Sequence, residues 1–312
     1  MKYLLAFLTY FGYLFVITGY SIKIRKYLNL PMHLRSEVYP EIPGTQGSKN
    51  RSPFEDLDWW TKPRRKNWIG RFWFLFSDYF LLGEYFRKDR GYWLFLYPWH
   101  IGFITIILFH ILSFFGAVSL WLGIPVIPES PWLLGKTLFY LSLIVGVISF
   151  SAGLLGSIGV LIKRLTVSDL RDYTTPQNYL TYIFLLAVFF TGLYAWLSAD
   201  PLFAEYRGFW KGLITFRLID VEPASAIHIG LFALLLIYLP FTRSLHYITR
   251  LFGFLRIRWD DEPNVKGSLL EEKIKGMLDQ KVTWKGPHIR AGSTWTDLAS
   301  ETVAQDRSRN TP

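Results

Sequence analysis

The sequence predicts an all-α integral membrane protein with five transmembrane helices. Hydrophobic residues make up 51% of its 312 residues. Stretches with almost no charge, each long enough to cross a bilayer in about 20 residues, recur five times. Lys and Arg also gather in the segments on one side of these stretches. The stretches lie near residues 3–22, 93–122, 134–161, 179–198 and 225–248.

The first stretch, within residues 1–22, is predicted to be an N-terminal transmembrane anchor. It has one early charge, Lys2, and a long apolar core without a small-residue cleavage pattern. The basic run "KIRKY" follows at once. These features favour an uncleaved anchor over a removed signal peptide.

The distribution of charge predicts the orientation of the chain in the membrane. Basic residues in the short flanks on one side are Lys23, Arg25, Lys26, Lys163, Arg164, Arg171, Arg243, Arg250, Arg256 and Arg258. The opposite segments carry Lys2, Lys136, Arg207, Lys211 and Arg217. By the positive-inside rule the N-terminus is outside and the C-terminus is cytoplasmic. The net charge of +10 therefore reflects topology, and nucleic acid is not an expected partner.

The rest of the chain divides into three regions. Residues 23–92 are predicted to form a cytoplasmic loop, whose part over 67–93 forms an amphipathic helix at the membrane interface. A partial sixth span or re-entrant piece is the alternative for that part. Residues 93–250 are predicted to form a four-helix core. Residues 251–312 form a cytoplasmic partner-binding tail, with a short helix over 268–279.

The sequence contains no cysteine. It therefore has no disulfide, no iron–sulfur cluster of the usual thiolate kind and no covalent haem attachment motif. If the chain passes electrons onward, another subunit must hold the clusters.

Four histidines lie in spans two and five, where an unsatisfied polar group is expensive. His100 and His110 are about 15 Å apart along a helix axis, and His228 and His246 about 27 Å. Eighteen residues are close to five helical turns, so the latter two are predicted to share one face. Because the two spans run antiparallel, His100 and His246 lie toward the cytoplasm, and His110 and His228 lie toward the outside.

Two imidazoles from facing helices at one depth are what a six-coordinate haem iron requires. The pattern therefore predicts two haems stacked between helices 2 and 5, with the pairs His100/His246 and His110/His228. The three methionines lie outside the span interiors, so other axial ligands are excluded. Such haems exchange electrons rather than bind substrate. A zinc or copper site would gather its ligands at one depth, and the remaining alternative is a haem-free scaffold or transporter with hydrogen-bonded histidines.

Three neighbours of the histidines are candidate haem contacts. Gly102 and Gly230 each follow a ligand by two positions, and a missing side chain there would let a porphyrin approach. Arg243 lies one turn before His246 and is placed to pair with a haem propionate. An ordinary positive-inside flank is the equal alternative for Arg243.

The histidine spacings, together with "GVLIKRL", "DYTTPQNYL" and "LPFTRSLH", resemble the gamma subunit of respiratory nitrate reductase over about residues 96–250. The resemblance implies five membrane helices, two b-type haems held by histidine pairs, and quinol oxidation near the outer haem. By similarity to a lysine of that family, Lys136 is a candidate hydrogen-bond donor to a quinone carbonyl. Its alternative role is an interfacial anchor.

The tail motifs "RIRWDDEP" and "TWKGPHI" are more similar to the DsrM or HmeC membrane cytochrome of sulfur-metabolism complexes. That resemblance implies a cytoplasmic iron–sulfur partner like heterodisulfide reductase, in a multi-subunit complex linked to sulfate or sulfite respiration. The expected function is electron exchange between menaquinol, bound transiently in the cytoplasmic membrane, and that partner. A nitrate reductase gamma subunit is the alternative.

Overall fold

The computed structural model describes residues 1–29, 69, 72–73, 76–242, 246, 266–287 and 289–300. These residues belong to two compact units. The first lies within residues 1–21 and 75–245, and the second within 22–74 and 246–312. The first unit contains the histidine-bearing segments 100–110 and 223–242.

The described residues are almost entirely helical. The α-helices are α1 (Lys2–Asn29), α2 (Gly83–Lys88), α3 (Arg90–Trp121), α4 (Leu133–Thr166), α5 (Ser168–Asp172), α6 (Pro176–Ser198), α7 (Ala204–Ile214), α8 (Pro223–Tyr238), α9 (Leu269–Leu278) and α10 (Trp295–Ser300). Five of them, α1, α3, α4, α6 and α8, are long and apolar enough to cross a membrane. The prediction of an all-α protein with five membrane helices is confirmed.

Small residues let the first two core helices, α3 and α4, approach closely. A side chain at Gly102 of α3 would meet the backbone of Gly153 on α4. Ser149 of α4 donates a hydrogen bond of 3.0 Å to the Gly102 carbonyl. Lipid supplies no hydrophobic drive for helix association, so close packing and hydrogen bonds of this kind hold membrane helices together.

The N-terminal helix α1 is packed into the first unit. A Cβ at Gly12 would lie 2.8 Å from the carbonyl oxygen of Ala233, so α1 and α8 are in backbone contact. The Tyr10 hydroxyl donates to the Leu213 carbonyl at 2.6 Å, and Lys2 pairs with Asp220 at 3.5 Å. Helix α1 therefore stabilises both α8 and the preceding connection.

The two ends of the bundle differ in what covers them. We call the end that carries the α3–α4 connection and the α6–α8 connection the α7 end, because α7 lies there against α3. The opposite end carries α5 and is called the α5 end. His110 and His228 both lie toward the α7 end of their helices, as the antiparallel directions require.

The fifth span is shorter than predicted. Helix α8 ends at Tyr238, a 3-10 turn covers Leu239–Phe241, and Thr242 is extended with φ −95° and ψ 175°. Pro240 has no N–H to continue the helical hydrogen bonds, which accounts for the break. The predicted continuous helix to residue 248 is wrong. The prediction that His228 and His246 share one helix face is therefore wrong as well, because it assumed five unbroken helical turns between them.

The segment before α3 also differs from its prediction. Residues Phe76–Phe80 form a π-helical turn and α2 begins at Gly83, with Leu82 between them at φ 50°. This left-handed residue breaks the chain direction, so the described part is two short pieces rather than one amphipathic helix. Asp89 then starts α3 by accepting a hydrogen bond of 2.9 Å from the Tyr92 N–H. Residues 30–68 of the predicted loop lie outside the described residues.

The tail contains the predicted short helix. Helix α9 runs over Leu269–Leu278, which confirms the prediction for 268–279. Ser268 accepts a hydrogen bond from Glu271 N–H at 3.1 Å, while the Glu271 carboxylate accepts one from Gly267 N–H at 2.5 Å. This is a capping box. The Gly267 N–H and then Lys275 hold the pKa of Glu271 below its usual value.

Candidate functional site

The structure brings together two of the four predicted histidines. His110 of α3 and His228 of α8 are 4% and 5% exposed. Their ring centroids are 6.5 Å apart, and the ring planes are inclined by 44°. The two imidazoles therefore lie at the same depth in the bundle, toward its α7 end.

The hydrogen bonds of the two imidazole rings use Nδ1 and leave both Nε2 atoms available to bind a metal ion. Nδ1 of His110 lies 2.7 Å from the Ile106 carbonyl oxygen, so it carries the proton and donates. Nδ1 of His228 lies 3.4 Å from the Thr191 hydroxyl. The Nε2 atoms of both rings are buried and have no hydrogen-bond partner within the described part of the chain. Such a buried unpaired polar group costs about 1–3 kcal/mol.

This donor set fits a haem iron. An imidazole nitrogen binds a metal ion at about 2.0–2.1 Å, so two rings on opposite sides of one ion have centroids about 6 Å apart. The observed separation of 6.5 Å is close to that value. Nδ1–H donation to a backbone carbonyl, as in His110, is also the arrangement that fixes the tautomer of a metal-binding histidine.

Aromatic side chains surround the pair and exclude water. Phe232 stacks on His110 at 3.6 Å, and Phe150 meets His228 edge-on at 5.1 Å between centroids. The cavity beside His228 has a volume of about 20 Å³, enough for one water molecule. A site for a large ligand needs several hundred Å³. A macrocycle can therefore enter only if these aromatic side chains turn outward.

Helix α7 covers the pair, and the sequence analysis did not predict it. Tyr206 packs edge-on against His110, with centroids 5.6 Å apart. Asp200, 7% exposed, accepts a hydrogen bond from Tyr206 N–H at 2.8 Å. Burial raises the pKa of Asp200, and the N–H groups of the first turn of α7 oppose this. The helical repeat of buried Tyr206, Phe209, Trp210 and Leu213 is a signal that could have revealed α7.

The start of α7 is also tied to the start of α8. Glu205 accepts one hydrogen bond from Glu222 N–H at 2.6 Å and another from the Ser225 hydroxyl at 2.5 Å. Ser225 is three residues before His228. These hydrogen bonds therefore fix the position of α7 relative to α8, the helix that carries His228.

A buried arginine lies beside Tyr206. Arg207 is 2% exposed, and its guanidinium donates to the Ser142 hydroxyl at 3.2 Å and to the Leu202 carbonyl at 2.8 Å. Gly116 of α3 leaves the space for it, because a Cβ there would lie 2.7 Å from the Arg207 Cδ. The sequence analysis counted Arg207 only among the basic residues of the outer segments and did not predict its burial.

The two members of the second predicted pair belong to different compact units. His100 of α3 is 9% exposed, near the crossing with α4. His246 is exposed and belongs to the second unit, after residues that the structure does not describe. Arg243 is one of those residues and lies outside the described part. The pairing of His100 with His246 and the role of Arg243 stay predictions.

The predicted quinone donor, Lys136, lies in the first turn of α4 at the α7 end and is exposed. It is therefore on the same end of the bundle as His110 and His228. Its side chain has no hydrogen bond or ion pair with the residues that the structure describes, and its role stays a prediction.

The predicted porphyrin contact at Gly102 is wrong, because this glycine faces the backbone of α4 and serves helix packing. A Cβ at Gly230 would have Leu5 Cδ2 of α1 at 3.8 Å, and the porphyrin contact predicted for this glycine stays a prediction. The glycine that does border the pair is Gly192 of α6, where a Cβ would lie 2.9 Å from Cε1 of His228.

Two of the sequence motifs interlock at the α5 end. Arg164 in "GVLIKRL" donates to the Thr174 hydroxyl at 2.8 Å and to the Tyr92 hydroxyl at 2.9 Å. Tyr179 in turn donates to the Arg164 carbonyl at 3.0 Å. Thr174 and Tyr179 belong to "DYTTPQNYL". The motifs thus fix the turn between α4 and α6 and hold the start of α3.

The fold and the site define a multi-pass helical membrane protein with a buried, opposed imidazole pair. The family model for the nitrate reductase gamma subunit matches residues 93–260. The chain belongs to this family of membrane-bound, haem b-binding cytochrome subunits. This confirms the predicted resemblance to the nitrate reductase gamma subunit and the predicted membrane location. No curated protein matches the chain.

Proposed function

We propose that this chain is a dihaem b-type cytochrome subunit that exchanges electrons between menaquinol and a cytoplasmic iron–sulfur subunit. The complex is a respiratory one, linked to sulfate or sulfite reduction, and the partner is similar to heterodisulfide reductase. The observation that carries the proposal is the opposed His110 and His228 pair with two buried Nε2 atoms.

In this proposal His110 and His228 hold one haem, and His100 and His246 hold the second. A haem held by two histidines would supply one-electron transfer there rather than substrate binding. The chain fixes the ligand orientation through the Ile106 carbonyl. Phe150 and Phe232, which now lie against the two rings, would turn outward and exclude water from the edge of the haem. Arg243 would pair with a propionate beside His246.

Quinol oxidation is proposed at the α7 end, which the charge distribution predicts to be outside. Lys136 would donate a hydrogen bond to a quinone carbonyl there. Its exposure and its position at the start of α4 support this role. Moving each electron inward against the membrane potential costs about 2.3 kcal/mol per 100 mV. The redox gap between quinol and acceptor must exceed this cost for quinol oxidation to proceed.

The choice of partner is supported by two features of the sequence. The chain has no cysteine, so clusters that receive the electrons must belong to another subunit. The motifs "RIRWDDEP" and "TWKGPHI" support a partner of the sulfur-metabolism type rather than a nitrate-reducing one. The second motif overlaps an isolated bridge between Gly286 and Ile289 in the described tail.

Optical spectra of the purified protein test the haem assignment. We expect a b-type α-band in the reduced-minus-oxidised difference spectrum and two haems per chain by pyridine haemochrome assay. Replacing His110 and His228 together by Ala should remove one of the two haems. His288→Ala, in the polar tail, is the matched control and should leave both haems. The absence of an α-band, or retention of both haems in the double variant, would contradict the assignment.

Purification of the native complex tests the partner. An iron–sulfur protein of heterodisulfide-reductase character should accompany the chain. Recovery of a molybdenum enzyme in its place would contradict the sulfur-metabolism assignment and leave the cytochrome assignment intact.

A further inference from the structure

The buried guanidinium of Arg207 has no carboxylate in contact with it. Its hydrogen bonds within the described ranges go to neutral acceptors, the Ser142 hydroxyl and the Leu202 carbonyl. Asp200 attracts it electrostatically, but the two side chains form no ion pair. Burying a charge without a direct partner is expensive, and buried cations are normally paired. Arg207 can therefore accept a further anionic group in direct contact.

We infer that Arg207 binds a propionate carboxylate of the haem held by His110 and His228. The inference rests on the proposed function, because it requires a haem at that pair. A planar guanidinium matches a carboxylate with two parallel hydrogen bonds, which a lysine cannot offer. Arg207 thus anchors the outer haem at the α7 end.

The position of Arg207 relative to the histidine pair supports this role. Its chain neighbour Tyr206 packs against the His110 ring. Gly116, against which the Arg207 side chain lies, follows His110 on α3 by six residues, which is about 9 Å along the helix. The guanidinium is therefore displaced from the imidazole layer toward the α7 end, on the side of α3 that packs against α4. A propionate on the edge of the macrocycle that faces the α7 end would extend toward it.

The surroundings of Arg207 also favour a fixed charge over a mobile one. Its guanidinium carbon lies 5.7 Å from the centre of the Phe139 ring. Contacts with α3, α4 and the Leu202 carbonyl hold it from three sides. An arginine that only anchored the chain at the membrane surface would extend its charge into water instead.

Redox titration of the purified holoprotein tests the inference. In Arg207→Gln the midpoint potential of the outer haem should shift to more negative values, because a positive charge no longer opposes oxidation of the iron. The inner haem should keep its potential. Arg217→Gln removes an exposed charge from the same connection and should change neither potential. The outer haem is identified as the signal that His110→Ala removes.

Two further arms keep the test decisive. Arg207→Lys retains the positive charge, so it should keep both haems and show a smaller negative shift in the midpoint potential of the outer haem. This variant replaces Arg207→Gln in the titration if Arg207→Gln does not accumulate in the membrane. Haem dimethyl ester, which has no carboxylate to pair with a guanidinium, should bind haem-depleted wild type and haem-depleted Arg207→Gln equally well, whereas haem itself should bind the variant several-fold more weakly. An equal loss of affinity for haem and for its ester means that Arg207 holds another anion, such as a lipid phosphate, and overturns the inference. Unchanged potentials in both Arg207 variants overturn it as well. A wild-type protein without haem would instead refute the proposed function.

Discussion

At the scale of single residues, the site depends on how closely backbone and rings approach each other. Gly192 of α6 is the clearest case, because it touches both Phe150 and His228. A Cβ at Gly192 would lie 2.9 Å from Cε1 of His228 and closer still to the Phe150 ring. Any side chain here must displace the imidazole or the aromatic wall behind it. The sequence pointed to Gly102 and Gly230 instead, because spacing from a ligand does not show which helix a glycine faces.

Gly192→Ala should therefore lower haem occupancy. We expect at least a several-fold loss of the outer haem per chain, since misplacement of one axial ligand weakens the whole site. Pyridine haemochrome assay and the α-band amplitude measure this. Gly276→Ala in α9 is the control, because no atom lies within 4 Å of its added Cβ. That variant should keep full haem and gain about 0.5–1 kcal/mol in helix stability. Equal occupancy in both variants would contradict the proposed position of the haem.

At the scale of elements, the spans were predictable and their ends were not. Five apolar runs suffice to find the membrane helices, because the bilayer sets their length and hydropathy. The end of α8 depends on Pro240 and the extended Thr242. A hydropathy value averaged over about 20 residues does not show such a local break. Helix α7 was missed because its amphipathic repeat lies in a connection with charged residues. Only the structure shows that Arg207 points inward. Conversely, the short helix α9 was predicted close to its observed bounds, and the structure shows that Ser268 and Glu271 form the capping box that begins it.

Helix α7 should depend on Asp200. Asp200→Ala removes the acceptor for N–H groups of the first turn, which costs about 1 kcal/mol, the value typical of a lost helix cap. We expect faster tryptic cleavage after Lys211 in detergent, measured by mass spectrometry against time. Asp200→Asn keeps an acceptor and should be cleaved at nearly the wild-type rate. Identical cleavage of the Ala variant and wild type would show that Asp200 does not hold α7.

The same carboxyl gives α7 a pH dependence. Burial raises the pKa of Asp200, so its folded state holds a proton more tightly than the unfolded state. This contribution to stability is fully present below the unfolded pKa and is lost as pH rises through the folded pKa. Cleavage after Lys211, corrected for the intrinsic pH dependence of the protease, should therefore accelerate with rising pH in wild type. Asp200→Asn should abolish this pH dependence of the cleavage rate. If the cleavage rate of Asp200→Asn depends on pH as strongly as that of wild type, a different titrating group is responsible.

At the scale of the whole molecule, the bundle has unsatisfied polar atoms where a cofactor would bind. Among the described residues, the Nε2 atoms of His110 and His228 have no hydrogen-bond partner, and Arg207 forms no ion pair. Each of these groups destabilises the chain without haem, and under the proposed function one haem with its propionates would satisfy each of them. Binding to the folded state alone stabilises a protein by about 4 kcal/mol when the ligand is at a thousand times its Kd. Haem is therefore expected to contribute to folding as well as to function.

Haem depletion should accordingly lower the melting temperature of the chain. Protein from cells starved of haem precursor, compared with loaded protein in the same detergent, should unfold at a lower temperature by circular dichroism at 222 nm. The variant lacking both His110 and His228 side chains is the matched control, because it should not gain stability from the outer haem. Its melting temperature should lie between those of depleted and loaded wild type, since the second pair can still bind. If depleted and loaded wild type melt at the same temperature, the unpaired atoms are not a haem site, since occupancy must stabilise the state that binds.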